Sequence, residues 1–502
     1  MKSKIYTILV MLFLFISGCS QQTISTPAAE TPSFTAPSTS PTDPSTPTFE
    51  ISPSPTPLAA SGGLEIPLPQ YTLNVNFNYD EHTLQVDEAI RYYNASTETI
   101  NDLVLMVDPL YFPGVFTLKE LKWGNGQPVN NIQTDRGWLR FDLQTPLALA
   151  DRIDLLITYQ LDLPSPQPSP TTRPVPFGYT AQQTNLVDWY PFIPPYIPGQ
   201  GWIAHPASYY GEHLSYDLSD FDVTIQLSPA RDNLIIAASS PGQQEDTKFH
   251  YEHLKARNFA WSASPYYQVL EAQAGPITVR SYAFAGQQAA NQRVLDTTVQ
   301  SLELFSRLFG EYPRMLLSVV EADFLDGMEY DGLYFLSKGF YNLYTDTPGQ
   351  YLVTIAAHET AHQWWYASLA NDQAMEPWLD EALCTFSELL YYENVAPAGV
   401  DWWWNARVKF YNPRGWVDTT IYNPFGDAQP YRGYRDAVYL NGAVFLDALR
   451  THMGSQSFME FLKAYATQNQ WGRVTRDNFF ELLNQYSTND PSEIINLYFY
   501  LP

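Results

Sequence analysis

Beyond Leu64 the chain alternates apolar and polar residues with a period of two. Tyr71-Thr72-Leu73-Asn74-Val75-Asn76-Phe77-Asn78-Tyr79 is the clearest run, and residues 82–93 read as its partner across a turn at Asp80-Glu81. Further strands are predicted at 103–107, 155–159, 221–227, 234–238 and 249–253, with no long helical periodicity between them. Residues 63–265 are therefore expected to form an N-terminal all-β domain. The pattern then changes: 277–284 reads as a strand, 287–309 as an amphipathic helix ended by Gly310, and 316–320 as another buried strand. Apolar residues at helical spacing predict further helices at 439–449, 458–465 and 479–483, so residues 266–502 are expected to be a second, mixed domain.

Within that second region lies His358-Glu359-Thr360-Ala361-His362. Histidines four apart share one helix face, so two imidazole nitrogens can converge on a single ion. Thr347 is expected to cap this helix with Pro348 at its first position, and Leu352, Val353 and Ile355 follow. Asn371-Asp372 marks a turn, and Pro377 opens a second apolar helix through Leu390 and Tyr391. Eighteen residues separate His362 from Glu381, enough to turn and lay that second helix alongside the first. His358, His362 and Glu381 would then be three ligands with a fourth position open, the composition of a catalytic zinc site. Glu359 would hold a water beside the ion. Glu388, two turns beyond Glu381, is either an acceptor for a ligand histidine or a solvated helix charge.

Composition narrows the partners. A formal charge of −26 and a pI near 4.5 argue against nucleic acid or anionic lipid as ligands. Lys2 and Lys4 precede a twelve-residue, mostly apolar run ending in Ile16-Ser17-Gly18-Cys19. The run is short for a membrane span. Its end resembles the lipobox of bacterial lipoproteins, which implies cleavage after residue 18 and lipid attachment at Cys19. The expected location is extracytoplasmic, anchored to a bacterial membrane. Residues 19–62 are Pro/Ser/Thr-rich without apolar periodicity, and are expected to be a disordered tether. Cys384 is the other cysteine, so no intramolecular disulfide is expected in the processed chain, and Cys384 reads as a small core thiol. His250 and His253, three apart on a strand, should face opposite sides and not share a metal. Residues 191–201, dense in proline and aromatics and followed by Trp202 and Tyr209-Tyr210, read either as a flap over the second domain or as a packed surface loop.

Together these features resemble the zinc aminopeptidases of the gluzincin group, the family of membrane alanyl aminopeptidase and leukotriene hydrolase. The family's W-L-N-E-G segment is matched by Trp378-Leu379-Asp380-Glu381-Ala382. Its G-A-M-E-N motif is matched by Asp326-Gly327-Met328-Glu329-Tyr330, with Asp and Tyr at its ends. Its tyrosine-bearing Y-x-K-G-A helix is matched by Tyr439-Leu440-Asn441-Gly442-Ala443, and a Gly310-Glu311-Tyr312-Pro313 turn is also similar. The resemblance implies a thermolysin-like α+β zinc peptidase domain after the β-domain, holding one zinc ion on His358, His362 and Glu381. It implies Glu359 as general base and then acid, and Tyr439 as transition-state donor, with Tyr431 and Tyr434 competing for that assignment. It also implies Glu329, within Gly327-Met328-Glu329, as the group that recognises the free α-amino end of a peptide. The chain runs some sixty residues past Tyr439, so the large C-terminal helical domain of many relatives is expected to be missing. An endopeptidase without amine selection and a non-catalytic surface binding protein are the alternatives. Oligomeric state is not readable.

Overall fold

The computed structural model describes residues 57–59, 65–165, 175–422 and 430–500. The expected signal segment, Cys19 and nearly all of the expected tether lie outside the described residues. The exception is Pro57–Ala59, which pairs antiparallel with Glu65–Pro67, ahead of the expected start of ordered structure at 63. A ladder this short is made by backbone groups and needs no apolar periodicity. Among the described residues no helix is long and apolar enough to cross a membrane.

The period-two runs form a seven-stranded sheet. Its members in chain order are β1 (Gln70–Asn78), β2 (Thr83–Tyr93), β3 (Phe116–Trp123), β4 (Arg152–Asp162), β5 (Ser219–Leu227), β6 (Gly242–Glu245) and β7 (Lys248–Ala256). They lie side by side as β6-β7-β5-β1-β2-β4-β3, with β1 and β5 parallel. Tyr71, Leu73, Val75 and Phe77 of β1 all face inward, as the alternation requires. β3 gave no clear sequence signal because its register shifts between Leu118 and Glu120, which breaks the parity of the pattern. Strand Trp138–Leu147 was also not read; it pairs with Ile100–Met106 in a three-stranded sheet.

Between Ser264 and Gln268 the chain leaves a four-stranded sheet and enters a new one. This second sheet contains β8 (Gln268–Ala274), β9 (Ile277–Ala283), β10 (Leu316–Ala322), β11 (Gly327–Tyr330) and β12 (Leu333–Ser337), in the order β8-β9-β10-β12-β11. Its two faces serve different cores. Leu317, Val319, Tyr334 and Leu336 pack with the helices, whereas Val320, Ala322, Leu333 and Phe335 pack with the β-rich region. The sheet is thus a shared wall, and β11 is its free edge.

Helix α1 (Gln288–Phe309) backs this wall and stops at Gly310, whose φ of +115° suits glycine. Two shorter helices follow, α2 (Tyr351–Ala361) and α3 (Trp378–Asn394). The expected Thr347 cap is not used: α2 begins at Tyr351, and Gln350 occupies the cap position. The Gln350 side-chain amide bonds back to the Thr345 and Thr347 carbonyls, fixing residues 345–350 as a turn that delays the first helical residue. Pro377 does stand immediately before α3. Every residue from Trp378 to Tyr392 is buried, as expected of a helix surrounded by protein on all sides.

Candidate metal centre

Helices α2 and α3 bring the three expected ligands together. His358 Nε2 lies 3.2 Å and His362 Nε2 3.6 Å from the same Glu381 oxygen, Oε2. Four donors around a tetrahedral zinc with bonds near 2.1 Å stand about 3.4 Å apart, so these spacings fit the edges of such a site. The other ring nitrogens are already engaged: His358 Nδ1 meets Glu388 Oε1 at 2.9 Å, and His362 Nδ1 meets the Trp365 carbonyl at 3.1 Å. Both Nδ1 atoms must therefore carry the proton, which leaves two Nε2 lone pairs facing a carboxylate. Positive charge between them, a metal ion or an imidazole proton, makes that arrangement favourable. The donor set accordingly fits zinc.

Electrostatics around the ligands point the same way. Burial alone would lower His358, but its hydrogen bonds to Glu381 and Glu388 outweigh it and carry the imidazole to about 9. Burial would raise Glu381, yet the two histidines hold it well below the usual carboxylate range. Glu388 is fully buried, and it is an acceptor and not a solvated charge. Besides His358 it accepts Arg407 Nη2 at 2.9 Å, Arg407 Nε at 3.1 Å and Trp403 Nε1 at 2.7 Å. Neither Arg407 nor Trp403 carried any signal in the sequence, since they reach Glu388 from a separate π-helical stretch, Trp403–Val408. Asp380 stands where the resembled W-L-N-E-G segment has asparagine, and burial and the adjacent Glu381 charge push its carboxyl well above the usual range.

Glu359 is nearly fully buried, and its Oε2 has no hydrogen-bond partner among the described residues. Burial pushes its carboxyl up to about 8, against the opposing pull of His362 and His358. Gly327 makes room for it, because a Cβ there would lie 2.1 Å from Glu359 Oε1. Asp326 has a φ of +76°, a left-handed conformation that glycine adopts more easily and aspartate tolerates. Glu329, on the same edge strand, turns into the cleft, and Gln373 Nε2 donates to its Oε1 at 3.3 Å. Met328 lines an adjoining cavity with Asp108, Asp188 and Tyr366, which shares Gly211, Glu212 and Glu329 with the cleft.

Tyr439 donates to Glu381 Oε1 at 2.5 Å, and its ring lies parallel to that of His358 at 6.1 Å. It does not open a helix as expected. It sits inside a π-helical stretch, Asp436–Asn441, between the helices Pro430–Arg435 and Gly442–Met453. Gly442 lets that stretch approach α3 closely, since a Cβ there would be 2.5 Å from that of Ala382. Tyr434 packs edge-on to Tyr439, while Tyr431 is half exposed at the cleft mouth.

The cleft encloses about 1360 Å³ including its open mouth. The β-rich region contributes Tyr209, Tyr210, Gly211 and Glu212 to it. Residues 191–201 are not the flap. Phe192 and Ile193 are buried in the β-region core and Ile193 N donates to Tyr71 Oη, so the apolar rings of that run serve packing. Cys384 is buried and free as expected, but lies nearer the histidines than a plain core thiol: one donor atom each from His358, His362 and Cys384 fall within 4.8 Å of one another. Burial pushes its thiol well above the usual range, so it stays protonated. His250 and His253 do face apart, His250 to Asp222 and His253 to the Asp331 carbonyl.

Comparison with known proteins agrees with this geometry. Residues 293–498 match the family model described as the peptidase family M1 domain. Curated relatives include aminopeptidase M1-D of Oryza sativa subsp. japonica, 24% identical over 232 residues, 42% of this chain and 25% of that protein. Aminopeptidase 2, mitochondrial, of Saccharomyces cerevisiae is 24% identical over 237 residues, 44% of this chain and 25% of its own length. The matched segment thus spans about a quarter of these relatives. Among solved structures, the M1 zinc metallopeptidase from Deinococcus radiodurans superposes with a TM-score of 0.62 at 18% identity, covering 87% of this chain and 95% of that one. A variant of it was solved with a Tyr-Ser-Ala substrate. The likeness includes the order of a β-rich region followed by a helical one.

Proposed function

We propose that this chain is a zinc-dependent aminopeptidase that removes N-terminal residues from peptides outside the cytoplasm, tethered by a lipid on Cys19. The observation that carries the reading is the approach of both His358 and His362 Nε2 to one Glu381 oxygen, at 3.2 and 3.6 Å, beside a buried Glu359 whose Oε2 has no partner among the described residues. The sheet β8–β12 backed by α1 and α2 supports reading residues 266–502 as a thermolysin-like catalytic domain. Imidazole and carboxylate donors suit zinc, and three of them define one ion.

When bound, zinc supplies Lewis-acid polarisation of the scissile carbonyl and acidification of the attacking water. Every other part of the reaction belongs to side chains. Glu359, buried beside the ligands, accepts the water's proton as a carboxylate and delivers it to the leaving amine. The Tyr439 hydroxyl, held at the metal site by Glu381, is placed to donate to the developing oxyanion. Glu329 pairs with the substrate's α-ammonium, and Gln373 fixes its orientation. Glu388, clamped by Arg407 and Trp403, holds the His358 ring in the ligating tautomer.

A panel of aminoacyl-coumarins, assayed with and without chelator, tests the reading. Cleavage that chelation abolishes and zinc restores is the expected result. Equal cleavage of a peptide and its N-acetylated form would turn the reading to an endopeptidase. The lipid tether is tested separately, by palmitate labelling of cells that carry the chain or its Cys19→Ser variant.

A further inference from the structure

The metal cleft is electrically lopsided. One wall carries Glu329 and Glu212, and the other carries two guanidiniums, Arg407 and Arg435. They share a side: Arg435 lies 4.1 Å above the Tyr411 ring, Tyr411 Oη meets Tyr351 Oη at 2.9 Å, and Tyr351 stacks on Phe340, a cleft residue. Tyr434, by contrast, packs against Tyr210 on the acidic side.

The two arginines are not equivalent. Arg407 is buried and gives both Nε and Nη2 to Glu388, so its charge is matched. Asp326 is on this wall as well. Arg435 shares a single carboxylate, Asp436, with Arg432: Arg435 Nε and Nη2 bond Oδ1 at 3.0 and 2.5 Å, while Arg432 Nε takes Oδ2 at 3.3 Å. Asp436 is thus divided between two guanidiniums, and Asp326 is the other acid on this side. Arg435 Nη1 has no protein partner among the described residues. Arg435 also stands four residues before Tyr439 in continuous helical structure, so it shares that residue's face, about 5–6 Å away at the Cβ atoms. Arg435 therefore lines the cleft beside Tyr439.

We infer that Arg435 takes the C-terminal carboxylate of a short substrate, making di- and tripeptides with a free carboxyl end the preferred class. The inference rests on the aminopeptidase reading: the α-ammonium goes to Glu329, the first peptide bond to the metal, and the far carboxylate to Arg435. A protein with net charge −26 repels anions at its surface, so a guanidinium inside the cleft with one nitrogen still free to donate has a selective use.

The test compares Leu-Gly-Gly, its C-terminal amide and its N-acetyl form with the zinc-loaded full chain. The free acid should exceed the amide about tenfold to a hundredfold in kcat/KM, mainly through KM, the range for a charge-assisted hydrogen bond. Arg435→Gln should bring that ratio near one and Arg435→Lys should keep part of it; because each ratio is internal to one variant, a general loss of activity cancels. Calorimetric binding to the Glu359→Gln protein should give the same acid-to-amide preference without turnover. A ratio near one in the wild type, or one that Arg435→Gln leaves intact, overturns the inference while aminopeptidase activity stands. If neither the tripeptides nor leucyl-coumarin is cleaved, the aminopeptidase reading itself fails and this inference goes with it.

Discussion

Two buried clusters in this molecule are built from the same kinds of group and end up with opposite uses. One is the metal centre, where His358, His362, Glu381, Glu388 and Arg407 meet. The other joins β7 to the β11–β12 turn, where His253 contacts Asp331 and Arg314 grips both Asp331 oxygens at 3.0 and 2.7 Å. Arg257 N adds a bond to Asp331 Oδ2 at 2.9 Å. At Asp331 every strong acceptor is met from within the protein. At the metal centre the protein meets the outer nitrogens and leaves the inner ones pointing at each other across a cleft. Burial, ion pairing and shifted titration are common to both, so none of these marks a functional site by itself. The unspent donor atoms around a void do.

The largest effect should come from replacing a group the metal centre leaves unspent. Glu359→Gln keeps size and packing but cannot take a proton. Hydrolysis of aminoacyl-coumarins should fall by about two to four orders of magnitude, with metal content by mass spectrometry unchanged. Residual activity within tenfold of wild type would mean that Glu359 is not the base. Next in size is the structural cluster. Asp331→Ala strands Arg314 without its partner, and loss of one member of a buried pair typically costs about 3–5 kcal/mol. The expected result is a much lower denaturation midpoint, with kcat per folded molecule retained. A stable but inactive variant would erase the distinction between the two clusters.

Glu388→Gln probes the boundary between them, since Glu388 is saturated like Asp331 yet serves a ligand. Its loss should weaken zinc binding about tenfold to a hundredfold, measured by competition with a chelating dye. Chain stability should also fall, because the neutral amide takes the counter-charge from buried Arg407, but less than with Asp331→Ala, since the one remaining oxygen can still accept from Trp403 and Arg407 Nε.

Much of the centre was legible because its parts follow helical arithmetic. His358 and His362 sit one turn apart, Glu381 lies in the first turn of the next helix, and Glu388 is two turns farther on. Tyr439 could be placed only through the resemblance, and the tyrosine bonded to Glu381 is indeed that residue. Arg407 and Trp403 escaped notice because they come from a π-helical stretch, Trp403–Val408, which departs from the 3.6-residue period, and Gln373 because it comes from a turn. For residues 191–201 the sequence left flap and packed loop both open, because proline and aromatic content cannot tell packing from exposure; the cleft wall is the later stretch Tyr209–Glu212. The Thr347 cap failed for a local reason, the backward bonds of the Gln350 amide, which no capping preference encodes.

The smallest expected effect separates the clusters by pH. His253 is lowered, first by burial and then by the Arg314 charge, against the pull of Asp331. When the chain unfolds, His253 binds a proton near its ordinary value of about 6.5, so the unfolded state holds more protons and stability declines as pH falls through that range. Asp331 acts lower down. Burial would raise it, but Arg314 and His253 together outweigh burial and hold it far below its ordinary value of about 3.9. Its contribution is complete above that value and is lost as pH falls below it. Stability should therefore drop in two steps on acidification, and His253→Gln should remove the upper step and keep the lower. Urea midpoints for wild type and variant from pH 8 to 3 read this as a difference curve, in which titration elsewhere in the chain, such as the buried Asp188 at about 7, cancels. A flat difference between pH 7 and 5 would mean that His253 is as easily protonated folded as unfolded, and that the Asp331 cluster has spare capacity after all.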